Sequence, residues 1–144
     1  MLRAGIGPRR VSKAKTVAGA SERAIRDECD ELTRRIVLRD TRCCFVCGQF
    51  DVELHPGHYI TRKVLALRWD VKRAVRPQCN TCNALHNERP EPYRLILVLD
   101  IGESAVREVE RIGKENPRLE YSDLLEIRDG LRRELGTYQK AKAA

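Results

Sequence analysis

The residues most able to do chemistry are cysteines, histidines and one asparagine, crowded into the middle of the chain. Four of the six cysteines form two pairs, Cys44/Cys47 and Cys79/Cys82, each with two residues between its members. That gap lets both sulfurs of a pair reach one tetrahedral ion, with zinc–sulfur bonds of about 2.3 Å, and a second pair completes the shell. Cys43 lies next to Cys44, but only Cys44 has the two-residue gap to Cys47. Disulfides are the alternative use of such pairs, and the cytoplasmic setting expected below opposes them. The long gap between the pairs reads L-H-P-G-H-Y from Leu54 to Tyr59, and the chain after Cys79 reads C-N-A-L-H-N from Cys82 to Asn87. His55 and His58 therefore flank a Pro-Gly step, and Asn83 directly follows a cysteine ligand. Imidazoles titrate near neutral pH and can carry protons or bind metals. An amide oxygen suits a hard cation such as Mg2+. His86 and Asn87 stay open between approaching a metal and capping a helix end.

These residues need elements to hold them. Ser21 precedes Glu22 and an apolar set, Ile25, Cys29, Leu32 and Ile36, spaced by four, three and four residues. Such spacing predicts a capped helix running to about Asp40, with Cys29 in its core stripe. Phe50 to Ile60 reads as a hairpin, with Val52 and Leu54 alternating and Pro56-Gly57 at the turn. Residues 61–78 read as a long basic connection. Cys79 to Glu88 reads as a short helix stopped by Pro90, so that Cys79, Cys82, Asn83 and His86 share one face. From Pro92 onward the pattern is helical. Tyr93 to Ile101 is nearly all apolar and predicts a buried helix ended by Gly102. Ser104 to Ile112 predicts a second helix. A third, capped by Ser122, carries the stripe Leu124, Ile127, Leu131, Leu135 and Tyr138. Trp69 reads as core packing.

The formal net charge of +7 points to a polyanionic partner, and its distribution sharpens that reading. Arg3, Arg9, Arg10, Lys13 and Lys15 all precede the first acid, Glu22, in an arm rich in glycine. Arg62, Lys63, Arg68, Lys72, Arg73 and Arg76 form a second cluster interrupted only by Asp70. Nucleic acid is the expected partner, bound through backbone phosphates. The longest apolar run, Leu95 to Leu99, is far shorter than a membrane span needs. The basic N-terminus lacks the apolar segment of a secretory signal, which leads to the expectation of a cytoplasmic protein.

From about Leu32 to Glu134 the chain resembles the HNH, or ββα-metal, endonucleases, and more specifically the NinG/Rap family of phage recombination nucleases. The resemblance rests on I-V-L-R-D (36–40), C-F-V-C-G (44–48), H-P-G-H-Y (55–59), L-R-W-D (67–70), Q-C-N-T-C-N (78–83) and the tail Y-R-L-I-L-V-L-D-I-G-E (93–103). It implies an α+β fold, and with the residue pattern the chain divides into three parts. A flexible basic arm (1–20), read from its composition and outside the resemblance, comes first. A zinc-stapled ββα-metal core with a leading N-terminal helix (21–90) follows, and then a C-terminal helical extension (91–144). The resemblance further implies a metal-dependent endonuclease of phage or prophage origin acting on D-loops and Holliday junctions. A homodimer joined through the C-terminal helices would suit cleavage of both strands. In that reading His58 is the general base and Asn83 holds a catalytic divalent cation, Mg2+ or another. Cys44, Cys47, Cys79 and Cys82 hold structural Zn2+. His55 stands as a second cation ligand or a hydrogen-bonding neighbour. Arg62, Lys63 and the other basic residues, Arg9 and Arg10 among them, contact DNA.

Two positions depart from the HNH pattern. Gly57 stands where an acid or histidine ligand commonly precedes the base. Ala74 stands where an asparagine commonly braces the loop that carries it. These departures favour the alternative of a zinc-stapled DNA-binding protein without catalysis. A further alternative is an HNH nuclease acting on linear duplex.

Overall fold

The helix begun by Ser21 forms as its sequence dictates. The Ser21 hydroxyl accepts a hydrogen bond from the Ala24 amide at 3.1 Å, satisfying one of the free N–H groups of the first turn of α1 (Glu22–Leu38). The computed structural model describes residues 19–143. Most of the basic arm, with Arg9 and Arg10, therefore lies outside the described residues. The remaining elements are β1 (Leu54–His58), α2 (Leu65–Arg68), β2 (Val75–Cys79), α3 (Asn80–Leu85), α4 (Glu91–Ile101), α5 (Glu103–Glu115) and α6 (Tyr121–Ala143). The fold is α+β, with six helices and one two-stranded antiparallel sheet among the described residues.

The sheet differs from the expected hairpin. Pro56 and Gly57 lie in the middle of β1, and the partner strand comes from the stretch read as a basic connection. The register pairs Leu54 with Cys79, His55 with Gln78, Pro56 with Pro77, Gly57 with Arg76 and His58 with Val75. Two prolines face each other, and neither has an N–H to donate. An antiparallel ladder tolerates this only at a pair that exchanges no hydrogen bonds. Pro77 instead turns its carbonyl outward, where it accepts from the Phe45 amide at 2.8 Å. Gly57 is required for a different reason. A Cβ on it would lie 2.0 Å from Gln78 Oε1 and 2.5 Å from both Cγ and Cδ of the same side chain. Gln78 is 1% exposed, so it has little room to yield.

Two cores flank the sheet. In the first, Ile25, Cys29, Leu32 and Ile36 of α1 pack with Leu124, Leu131 and Leu135 of α6 around Trp69. The stripes on α1 and α6, read as core, are thus each other's partners. Arg132–Glu28 (2.6 Å), Arg39–Glu134 (2.7 Å) and Lys142–Asp40 (2.9 Å) link the two helices at their edges. In the second core, Tyr93 and Leu97 of α4 pack with Val106 and Val109 of α5, Leu67 of α2, and Tyr59 and Ala74 beside the strands. Helix α4 ends at Gly102, whose φ of 92° suits glycine. It is less buried than its composition predicts, because Leu95 and Leu99 face outward at 63% and 76% exposure. Ser122 is not the cap of α6, since the helix starts at Tyr121. Asp123 accepts from the Glu120 amide at 2.7 Å instead.

The Gly57–Gln78 contact gives a direct expectation. Gly57→Ala should lower stability by about 1–3 kcal/mol, the usual cost of forcing atoms into a filled interior. The double variant Gly57→Ala/Gln78→Ala should recover part of that loss. Urea unfolding curves of the two variants and the parent chain check both statements.

Candidate metal centre and cleft

The first cysteine pair sits on a tight loop after α1. An isolated bridge between Cys43 and Phe50 closes this loop, and Gly48 turns it at φ 73°. The second pair straddles the junction of β2 and α3. Cys79 ends the strand and also caps the helix, its Sγ accepting from the Cys82 amide at 3.5 Å. The four Sγ atoms lie within 4.8 Å of one another, and Cys47 and Cys79 approach to 3.9 Å. A tetrahedron with 2.3 Å bonds has sulfur–sulfur edges of about 3.8 Å, so the cluster is sized for one zinc ion. Burial opposes ionisation of Cys44, but backbone hydrogen bonds from Cys47, Cys79 and Val46 outweigh it and bring the thiol down to about 7. Cys82 is pushed well above its usual range by burial and then by its three sulfur neighbours. Four thiolates cannot share so small a space without a cation, and a divalent ion removes that repulsion. None of the six cysteines is in a disulfide.

The second constellation gathers in an open cleft of about 840 Å3 between α1 and α3, at the edge of β1. His55, His58 and Asn83 all line it, as do His86, Asn87 and Arg62. Strand alternation puts His55 and Gly57 on the sheet face shared with Arg76 and Gln78, and His58 on the other. His58 donates its Nε2–H to the Arg68 carbonyl at 2.9 Å, because a carbonyl can only accept. The neutral ring therefore keeps Nδ1 as its acceptor. Burial is the largest cause holding His58 below its ordinary value of 6.5, and the charges of Arg62 and Arg68 add to it. The backbone hydrogen bond and Asp30 oppose them without winning.

His55 Nε2 is buried and without a hydrogen-bond partner, 3.5 Å from Glu53 Oε1. Gln78 Oε1, on its cross-strand neighbour, is likewise buried and unpartnered. A ring nitrogen left unsatisfied in this way fits a ligand position. Asn83 is exposed on the cleft side of α3. His86, left open by sequence, resolves as a packing residue. It is buried against Tyr59 and Tyr93, and donates its Nε2–H to the Tyr59 carbonyl at 2.7 Å, fixing α3 to the end of β1. Asn87 is exposed at the cleft wall.

The basic cluster divides. Arg62 and Lys63 are exposed at the cleft, although Arg62 also reaches Asp30 at 3.2 Å. Lys72 is exposed but is not part of the cleft wall. Arg68 pairs with Asp30, Arg73 with Asp70 and Arg76 with Asp100. Arg76 also donates to the carbonyls of Val71, Lys72 and Val75, tying down the turn before β2. Asp30, on α1, is the residue that sequence reading missed. It accepts from Arg68 Nε (2.9 Å), Arg68 Nη2 (2.6 Å) and Trp69 Nε1 (2.7 Å). Its burial works against ionisation, but these donors and the charges of Arg68 and Arg62 hold its carboxyl below the usual range. In sequence it is one of four acids between Asp27 and Glu31, with nothing local to single it out.

A model of the bacteriophage lambda NinG protein family matches residues 9–141. The chain belongs to the NinG family. Comparison with curated proteins found no match, and neither did comparison with solved structures. In this NinG-family chain the four cysteines are the one group of three or more His, Cys, Asp and Glu side chains, among the described residues, close enough to share a metal ion. No described helix is long and apolar enough to cross a membrane.

Two expectations follow from this geometry. Cys82→Ala should abolish zinc binding and unfold the region around the strands, because the metal's binding free energy is part of folding. Zinc content by atomic absorption and a melting curve check it, against one zinc per chain in the parent. In the zinc-loaded chain without Mg2+, His58 should titrate below 6.5, remaining neutral at pH 7 and gaining its proton only as the pH falls. NMR of the imidazole carbons gives that midpoint.

Proposed function

We propose that this NinG-family chain is a metal-dependent DNA endonuclease with a ββα-metal core formed by β1, β2 and α3. The observation that carries the reading is His58. Its Nε2–H is committed to the Arg68 carbonyl, its Nδ1 is left as acceptor, and its depressed pKa keeps it unprotonated at neutral pH. Those are the attributes of a general base. The base shares its cleft with Asn83 and with a histidine whose ring nitrogen lacks a partner.

In the proposed reaction, His58 Nδ1 takes a proton from a water molecule as its oxygen attacks a backbone phosphorus. The P–O3′ bond breaks, leaving a 5′-phosphate and a 3′-hydroxyl, whose proton comes from solvent. His55 and Asn83 would hold the divalent cation, in keeping with the few protein ligands and several waters that Mg2+ favours. When bound, the cation would supply positive charge to stabilise the leaving 3′-oxygen. Arg62 and Lys63 line the cleft and would meet the phosphates of a strand entering it. Contacts of that kind carry affinity without base specificity, so preference among substrates comes from DNA shape. The sequence resemblance to phage recombination nucleases is what points to branched intermediates, D-loops and Holliday junctions, as those substrates. The cysteines take no part in the chemistry.

The test is cleavage of a synthetic four-way junction, and of linear duplex at the same salt, with and without Mg2+. The parent chain should cut the junction only with Mg2+, and His58→Ala should lose roughly 100-fold or more. Binding without Mg2+-dependent cutting would point to a zinc-stapled DNA-binding protein. Equal cutting of linear duplex would remove the branch preference alone.

A further inference from the structure

The proposed general base depends on a carbonyl at the last residue of a short element, whose earlier part is anchored in the second core by Val64 and Leu67. Helix α2 is a single turn, and its N-cap, Val64, makes no side-chain capping bond. A helix this short is not stable by itself. The Arg68 carbonyl is at its last residue, where backbone acceptors lack helical partners. His58 Nε2–H fills that vacancy at 2.9 Å. The orientation of the base is therefore no better defined than the position of Arg68.

Arg68 is positioned from outside the strand–strand–helix unit. Asp30 accepts two hydrogen bonds from the Arg68 guanidinium in a forked arrangement, and a third from the indole N–H of Trp69. Forked pairing of this type fixes direction as well as distance. Arg62, just before α2, adds a longer contact to Asp30 at 3.2 Å. Trp69 is 4% exposed and wedged into the core between α1 and α6. One carboxylate thus ties both residues at the end of α2 to the helix pair. Among the described residues no other side chain hydrogen-bonds to both Arg68 and Trp69. Ala74 has no polar side chain, and its backbone is already engaged with Tyr59 and Asp70.

We propose that Asp30 is a positioning residue for His58: through Arg68 and Trp69 it holds the carbonyl that orients the base, and so couples the α1–α6 pair to the cleft. The proposal rests on the reading of His58 as general base.

The test uses the zinc-loaded full chain and the variants Asp30→Ala, Asp30→Asn and Trp69→Phe. The chain has three histidines and one tryptophan, so the relevant resonances can be assigned. In the parent, the His58 Nε2–H proton should be visible and protected from exchange with water, measured without Mg2+. In Asp30→Ala it should be lost to exchange. The kcat for junction cleavage should fall roughly 10- to 100-fold with KM nearly unchanged, as expected when a reacting group is misaligned. Asp30→Asn keeps an acceptor for the indole but loses the charge, and should fall between. Trp69→Phe removes only the indole donor and should show a smaller loss, which keeps the test alive should Asp30→Ala fail to fold. Zinc content and circular dichroism control for general unfolding. A protected His58 proton in folded Asp30 variants, or a kcat equal to that of the parent, overturns the proposal. If the parent chain cuts no DNA, the nuclease reading fails, and proton protection alone still decides whether Asp30 holds His58.

Discussion

The convergence of four sulfurs at the junction of β2 and α3 is the constraint on which the rest of the arrangement depends. Cys79 is at once the last residue of a strand, the cap of a helix and a member of the cluster. Holding it against Cys44 and Cys47 fixes where β2 ends and where α3 starts. The ladder then sets β1 against β2, residue by residue, and with it His55 and His58. Asn83 follows Cys82 on α3, so its place is set from the same point. A two-stranded sheet and a helix of six residues bury too little apolar surface to keep such a geometry alone. A metal ion held by the cluster at their junction would compensate for that shortage.

The sheet is also served by what lies on either side of it. On one side, the Tyr93 hydroxyl donates to the Gly57 carbonyl at 2.9 Å, and His86 holds α3 to Tyr59. On the other, α1 lies along the strands and supplies Asp30 to the end of α2. The cleft runs between these two supports. Its polar character follows from its position at an edge strand, where neither core closes over the side chains.

The two departures from the HNH pattern have structural partners. Gly57 has no side chain because Gln78 occupies that space. Ala74 is buried within the second core, among Tyr59, Leu67 and Tyr93, where an unpaired amide would be costly. The arginines tell a similar story. Arg68, Arg73 and Arg76 read in sequence as part of one basic surface, yet each meets a carboxylate within the chain. What the charge pattern could not reveal was that the connection between the strands is itself folded and needs those guanidinium groups to close its turns.

What the sequence alone determined was local. Ser21 and the stripe from Ile25 to Ile36 specified α1, Gly102 specified the end of α4, and the two-residue gaps specified the cysteine cluster. Capping, helical periodicity and ligand spacing act over a few residues and leave a direct trace in residue order. The joining of His55, His58 and Asn83 in one cleft was legible only through family resemblance. Strand β2 was hidden, since Val-Arg-Pro-Gln-Cys has neither alternation nor β-forming composition, and Pro56-Gly57 carries the signature of a turn. Both stretches are strands because of what they meet: proline opposite proline at a position that needs no N–H, and glycine beneath a buried glutamine. Asp30 was hidden for the same reason. Its neighbours in sequence are acids like itself, and its role comes from Arg68 and Trp69, which only the packing of α1 against α2 and α6 brings to it.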